Sequence, residues 1–191
     1  LPPDSYGDYA FVQHMIASMA QGGSSRMAVV LPHGALFREG AEGRIREALL
    51  KEDMIEAVIG LAPNLFYGTS LAGCVVILRR KKPAKRKNKV LIIDASSLFR
   101  KARAQNFLDT EHGEQIVKWF RAFKDVEDRA KIVTLDEIKE EGWTLNISRY
   151  VLPPIGEDIP PLPEAVAAFK DALTEARAAE DHLRTVMTEG G

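Results

Sequence analysis

Two adjacent aromatics, Phe66 and Tyr67, are the side chains of this sequence best placed to do chemistry. They stand in a polar, glycine-bearing stretch, Asn64-Leu65-Phe66-Tyr67-Gly68-Thr69-Ser70, outside the apolar run Ala72–Leu78 that follows. A loop aromatic offers a flat face for stacking, and the Asn64 amide beside it can both donate and accept hydrogen bonds. The plain alternative is an aromatic that plugs the edge of a sheet. A second candidate is the basic run Arg79–Lys89, eight Lys or Arg in eleven residues, broken by Pro83. Arg79, Arg80, Lys81, Lys82, Lys85 and Arg86 in it are candidate contacts to DNA phosphate, which attracts cations without reading sequence. A solvated loop whose charges discourage edge pairing explains the run equally well. Pro32-His33-Gly34 contains a possible acid or base, but a turn leaving a strand accounts for its Pro and Gly. Cys74 lies among Val and Ile and reads as a small buried apolar residue. His14 and His112 make no ligand cluster with anything near them in sequence, so no metal is expected.

The elements that must hold these residues follow from periodicity. Asp8–Ala20 reads as a helix with Phe11, Met15 and Met19 on one face, beside Val12 and Ile16. Gly22-Gly23-Ser24-Ser25 ends it, and Met27–Leu31 is a short buried strand. A second helix is expected from Glu42 to Glu52, with Ile45, Ala48 and Leu49 inward. Met54–Leu61 and Ala72–Leu78 are apolar strands of the kind buried on both faces. Alternating helix and strand with short connections imply a largely parallel sheet. Only about ten residues separate these last two strands, too few for a parallel crossover, so that pair is expected antiparallel. Val90–Asp94 is a further strand, and Thr110–Phe123 a helix with Ile116, Phe120 and Phe123 on one face beside Val117. Thr134-Leu135-Asp136-Glu137 has the form of a capping box, and Gly142 suits the position just past the end of the helix it opens. Five prolines between Val151 and Pro163 mark a stiff linker. Beyond it Leu162, Val166, Phe169, Leu173, Ala176, Leu183 and Met187 follow heptad spacing with Glu180 as the polar break. That helix either packs on its own domain or seeks a partner.

Composition narrows the class. The 191 residues suffice for one domain with a real core plus an appendage, and a net charge of −1 gives no global nucleic-acid signature. A single cysteine excludes an internal disulfide and suits a reducing compartment. No run approaches the roughly 20 apolar residues of a membrane span, and no signal-peptide pattern is present, so a cytoplasmic protein with no membrane partner is expected. The chain opens on Leu1-Pro2-Pro3 without a methionine, which suggests a piece of something longer.

Three motifs in order carry a resemblance. Tyr6-Gly7-Asp8-Tyr9-Ala10-Phe11-Val12-Gln13-His14-Met15, then Arg26-Met27-Ala28-Val29-Val30-Leu31-Pro32-His33-Gly34, then Asn64-Leu65-Phe66-Tyr67-Gly68-Thr69 closely resemble the modification subunit of type I restriction–modification systems. The match continues through Asn146-Ile147-Ser148-Arg149-Tyr150. Those subunits are S-adenosylmethionine-dependent adenine-N6 DNA methyltransferases. The resemblance implies an α/β fold: the later part of a mostly parallel, Rossmann-like methyltransferase sheet with an inserted antiparallel strand, plus a C-terminal helical tail. It implies residues 1–150 as the C-terminal part of the catalytic domain, 151–163 as the linker and 164–191 as a helix docking to other subunits. Phe66 would pack on the flipped target adenine, with Tyr67 and Asn64 beside it. DNA, a specificity subunit and a restriction subunit are the implied partners.

Two motifs of the family are missing from the sequence: the glycine-rich cofactor loop and Asn-Pro-Pro-Phe/Tyr, whose Asn and backbone carbonyl hold the adenine amino group. Leu1-Pro2-Pro3-Asp4 echoes the second only superficially, because the amide is absent. Both normally precede the segment that begins here. The expectation is that the S-adenosylmethionine site belongs to an N-terminal portion outside this chain, and that the chain alone is inactive. The alternative is a catalytically empty fragment that retains only assembly surfaces.

Overall fold

A computed structural model describes residues 2–3, 6–23, 25–152 and 160–189. The chain divides into two compact units, Leu1–Pro153 and Pro154–Gly191. The first unit is built on a five-stranded sheet of β1 (Arg26–Pro32), β2 (Ile55–Leu61), β3 (Gly73–Arg79), β4 (Lys89–Ala95) and β5 (Ala130–Thr134), in the order β1-β3-β2-β4-β5. β1, β2 and β4 run in one direction. β3 is inserted antiparallel between β1 and β2, and β5 closes the far edge antiparallel to β4. The inserted strand matches the expectation for the β2–β3 pair. The largely parallel sheet needs correction for this segment, because among the described residues only β2 and β4 are hydrogen-bonded in parallel. β5 carries Lys131 between its apolar residues and was not legible as a strand; pairing with β4 creates it.

Strand alternation feeds two cores, one on each face. Val90 and Ile92 of β4 join Cys74, Val76 and Leu78 of β3 on the first face, while Leu91, Ile93 and Ala95 point to the second. Helices α1 (Asp8–Ser18), α2 (Gly40–Lys51) and α4 (Leu135–Glu140) cover the first face, and α3 (Thr110–Ala122) covers the second through Ile116, Trp119 and Phe120. In α1 the inward residues are Tyr9 and Val12, with Ile16 packed alongside, whereas Phe11 is exposed. The expected Phe11–Met15 face is therefore rotated by part of a turn. The cause is polar: the Tyr9 hydroxyl donates to the Ala35 carbonyl at 2.8 Å, and Asp8 pairs with Arg38. In α2, Ile45 and Leu49 are inward as expected, but Ala48 is exposed and Arg46 is buried instead. Arg46 donates to the carbonyls of Trp143, Ala35 and Arg38, tying α2 to two loops.

β1 differs from the buried strand its sequence suggested. Among the described residues it is an edge, bonded only to β3, and Val30 on its second face is 53% exposed. The capping box opening α4 is present as read: Thr134 Oγ1 accepts from the Glu137 amide, and the Thr134 amide donates back to the Glu137 carboxylate at 2.7 Å. Gly142 has φ +68°, the left-handed conformation a helix terminus favours. In the second unit, α5 (Leu162–Glu189) is one continuous helix of 28 residues. Its heptad residues Leu162, Phe169, Leu183 and Met187 are exposed. Most of the expected proline linker, residues 153–159, lies outside the described residues. No helix among the described residues is long and apolar enough to cross a membrane.

Candidate functional site at the carboxyl edge of the sheet

The carboxyl ends of β1, β2 and β4 and the start of β3 meet at one edge, since Pro32 pairs with Gly73, Gly60 with Cys74, and Gly60 with Asp94. Open α/β sheets place their ligands beyond this edge. The β2–β3 loop that crosses it is shaped by two left-handed residues, Asn64 (φ +56°) and Gly68 (φ +76°). Asn tolerates that conformation and Gly meets no steric cost in it. The Asn64 amide donates to the Ser70 carbonyl at 3.2 Å and closes the loop, and Thr69 Oγ1 accepts from the Leu71 amide at 3.1 Å.

The closed loop presents its two aromatics differently. Phe66 is 38% exposed and its ring lies over the start of β3. A Cβ built on Gly73 would come within 2.8 Å of Phe66 Cε2, so only glycine lets the ring lie so close to the backbone. Beside the ring is a shallow apolar pocket of about 250 Å³, lined by Val30, Leu31, Pro32, Thr69 and Leu71. Tyr67 is 94% exposed at the loop tip. The Asn64 side chain does not join the pocket; its Nδ2 reaches the Ala104 carbonyl at 3.4 Å. His33 plays the structural part expected of it: its Nε2 lies 2.9 Å from the Gly73 carbonyl, bracing β1's exit against the floor beneath Phe66. Cys74 is buried next to it, and burial pushes its thiol up to about 12, so it is an inert packing residue at neutral pH.

The sequence pattern of the N-6 DNA Methylase family matches residues 1–158. The chain belongs to that family. It is 36% identical over 185 residues to the Type I restriction enzyme MjaVII methylase subunit of Methanocaldococcus jannaschii, covering 95% of this chain and 31% of that protein. It is also 36% identical over 151 residues to the Type I restriction enzyme MpnII methylase subunit of Mycoplasma pneumoniae, covering 79% of this chain and 27% of that one. The crystal structure of the type I restriction–modification system methyltransferase subunit from Streptococcus thermophilus superposes with a TM-score of 0.74 at 42% identity, over 79% of this chain and 31% of that one. This methylase-family chain thus spans about a third of the length of the curated relatives it matches.

The family motifs acquire physical roles in this frame. Tyr9 and Asp8 of the first motif hold the turn that follows the second, through Ala35 and Arg38, and Tyr6 stacks under Arg38 with its ring centroid 4.6 Å from the guanidinium carbon. Burial pushes the Tyr9 hydroxyl up to about 12, so it remains a donor across the physiological range.

The basic run lies elsewhere. Arg26 pairs with Arg79 and Lys89 with Thr134, so residues 79–89 sit at the amino ends of the co-directional strands. One strand length, about 20 Å, separates them from the Phe66 loop. Four of the six candidate DNA contacts have internal partners. Arg79 and Arg86 flank the fully buried Glu56 at 3.4 and 3.2 Å, and Arg86 also stacks on Phe123. Arg80 donates to the Ile16 and Met19 carbonyls at the end of α1. The Lys82 ammonium is enclosed and bonded to Asp53 at 2.6 Å and to the Lys89 carbonyl at 2.8 Å. Burial pushes its pKa down while Asp53 opposes the shift. Lys81 and Lys85 are exposed at that far edge. Four of the run's eight cations thus clamp the amino edge of the fold.

One residue that braces the β2–β3 loop escaped the sequence reading. Asn106 is buried, with Nδ2 donating to the Pro63 carbonyl and its amide to the Asn64 carbonyl, both at 2.8 Å. An Asn in a polar stretch of its own carries no sign that it will stitch a loop forty residues earlier.

Proposed function

We propose that this chain is the C-terminal portion of the catalytic domain of a type I modification subunit, and that Phe66 receives the target adenine during N6 methylation of DNA. The observation that carries this reading is the Phe66 ring, half-exposed beside an apolar pocket at the carboxyl edge of three co-directional strands. A base turned out of the duplex loses its stacking partners, and an aromatic face restores part of that loss, roughly 1–3 kcal/mol per base. Tyr67, at the tip of the same loop, supplies a second wall to the base, and Asn64 acts through the loop it shapes. The relatives named as type I methylase subunits support the same reading.

S-adenosylmethionine, the methyl donor in this reading, does not fit the pocket beside Phe66. The pocket is shallow and almost wholly apolar, with Thr69 the polar side chain in its described lining, whereas the cofactor carries a ribose and a charged amino-acid group that need several polar partners. Its site is assigned to another part of the parent chain. The residues here bind and orient the base.

The test is methyl transfer from labelled S-adenosylmethionine to DNA by the parent-length chain with its specificity subunit, comparing wild type with Phe66→Ala. The expected result is a large fall in transfer rate with cofactor affinity unchanged. An unchanged rate returns Phe66 to a packing role. A second reading, an assembly module, is favoured by the exposed heptad residues of α5. In that reading α5 docks to a specificity subunit and wild type transfers no methyl group. Both readings place the parent with DNA-specificity and restriction subunits as partners.

A further inference from the structure

The segment after β4, residues 98–108, carries three cations and no acid: Arg100, Lys101 and Arg103. It leaves the carboxyl end of β4 through a turn in which Asp94 Oδ1 accepts from the Ser96 amide at 2.9 Å, so it emerges at the Phe66 edge and not at that of the 79–89 run. Leu98 anchors its base in the second core.

Its geometry is that of a pinned hairpin. Arg100 and Phe107 exchange backbone hydrogen bonds at 2.8 and 2.9 Å. The Arg100 guanidinium lies over the Phe107 ring, 4.8 Å from its centroid, and binds Asp109 at 2.8 and 3.2 Å. Arg100 is therefore neutralised and structural. The tip between these residues is fastened to the base loop at three points: Asn106 Nδ2 to the Pro63 carbonyl, the Asn106 amide to the Asn64 carbonyl, and Asn64 Nδ2 to the Ala104 carbonyl. Lys101 and Arg103 remain on that tip, exposed and without an ion-pair partner among the described residues.

We infer that residues 98–108 form a phosphate-contacting arm, which sets Lys101 and Arg103 against the DNA backbone next to the base held at Phe66. This rests on the methylase reading above. Four of the cations of the 79–89 run are engaged with Glu56, Asp53 and backbone carbonyls, whereas these two are held outward on a braced loop at the site's own edge. Phosphate contacts give register and orientation without sequence information. Coupling the contacts to the base loop through Asn106 and Asn64 would fix the distance from the backbone to the Phe66 pocket.

Each cation placed on a phosphate releases condensed counterions and adds about 0.9 to the slope of log affinity against log salt. The experiment uses the parent-length chain with its specificity subunit, bound to a random-sequence DNA duplex over a range of salt concentrations. Lys101→Gln/Arg103→Gln is expected to bind more weakly and to make the slope shallower by about 2, while Lys101→Arg restores its share. Lys81→Gln/Lys85→Gln, at the opposite edge, is expected to leave the slope unchanged. An unchanged slope in Lys101→Gln/Arg103→Gln, or a loss confined to Lys81→Gln/Lys85→Gln, overturns the arm. Methyl transfer by Phe66→Ala separates the two proposals. If that rate is unchanged while the arm variant alters the slope, the phosphate contact stands and the base pocket fails. If Phe66→Ala loses activity and the slope does not move, the reverse holds.

Discussion

Phe66 depends on a neighbour with no side chain. Because a Cβ on Gly73 would meet the ring at 2.8 Å, with the Leu31 carbonyl at 3.6 Å on the same side, Gly73→Ala must displace the aromatic or the strand beneath it. Displacing the ring outward costs less than moving a paired strand. Misplacement of a bound group by about 1 Å can cost up to about a hundredfold in rate. Gly73→Ala is therefore expected to reduce methyl transfer in the parent enzyme while leaving cofactor affinity unchanged, as single-turnover kinetics and cofactor titration would reveal. Full activity would mean that the ring's position over β3 is immaterial. His33 enters at the same scale, since its bond to the Gly73 carbonyl holds that strand start in place.

Helix α4 is short, six residues, and owes its definition to its cap. Isolated helices of that length do not persist in water, so the Thr134–Glu137 box and the burial of Ile138 must hold it. Thr134→Ala should cost about 1 kcal/mol, read as faster amide exchange over residues 135–142 at neutral pH. The bonds from the Thr134 amide and hydroxyl hold the Glu137 carboxyl below its ordinary range. With the folded pKa depressed, the contribution is complete above the unfolded value near 4.5 and is lost as pH falls through the folded value. The wild-type helix should therefore loosen in acid, and Thr134→Ala, which removes the hydroxyl but keeps the amide bond, should lose only part of that dependence. Equal pH dependence in both would assign the shift to the Thr134 backbone amide alone. The β2–β3 loop belongs at this scale too: its left-handed Asn64 and Gly68 and its ties to Asn106 make it a preformed platform.

For the molecule as a whole, β1 decides the behaviour. A strand bonded on one side only offers a row of free amides and carbonyls to any other strand, and Val30 adds an apolar surface beside it. Residues 1–191 expressed alone are expected to self-associate, which sedimentation over a range of concentrations would detect. A monodisperse monomer that melts cooperatively would show that the edge is tolerated. The second unit carries a surface of its own, the exposed heptad residues of α5 from Leu162 to Met187, about 38 Å along the helix.

Much of this was determined by local chemistry and so was legible in the amino-acid sequence: the apolar strands β2, β3 and β4, the antiparallel return of β3 after too short a crossover, the Thr134 box, the Gly142 terminus and the loop holding Phe66. Each depends on residues within a few positions of one another. Only the tertiary structure decided the rest. Which face of α1 turns inward depends on a hydroxyl bond from Tyr9 to Ala35, twenty-six positions away. Whether β1 is central or an edge depends on which strands lie beside it. Composition records the charge of the basic run and not its partners; the fold brings in Glu56 and Asp53, which engage Arg79, Lys82 and Arg86, three of its eight cations. Lys101 and Arg103, after β4, were too few to register as a run. They come to the same edge as Phe66 because β4 ends where β2 ends and because Asn106 reaches across to the β2–β3 loop, and neither relation exists until the chain has folded.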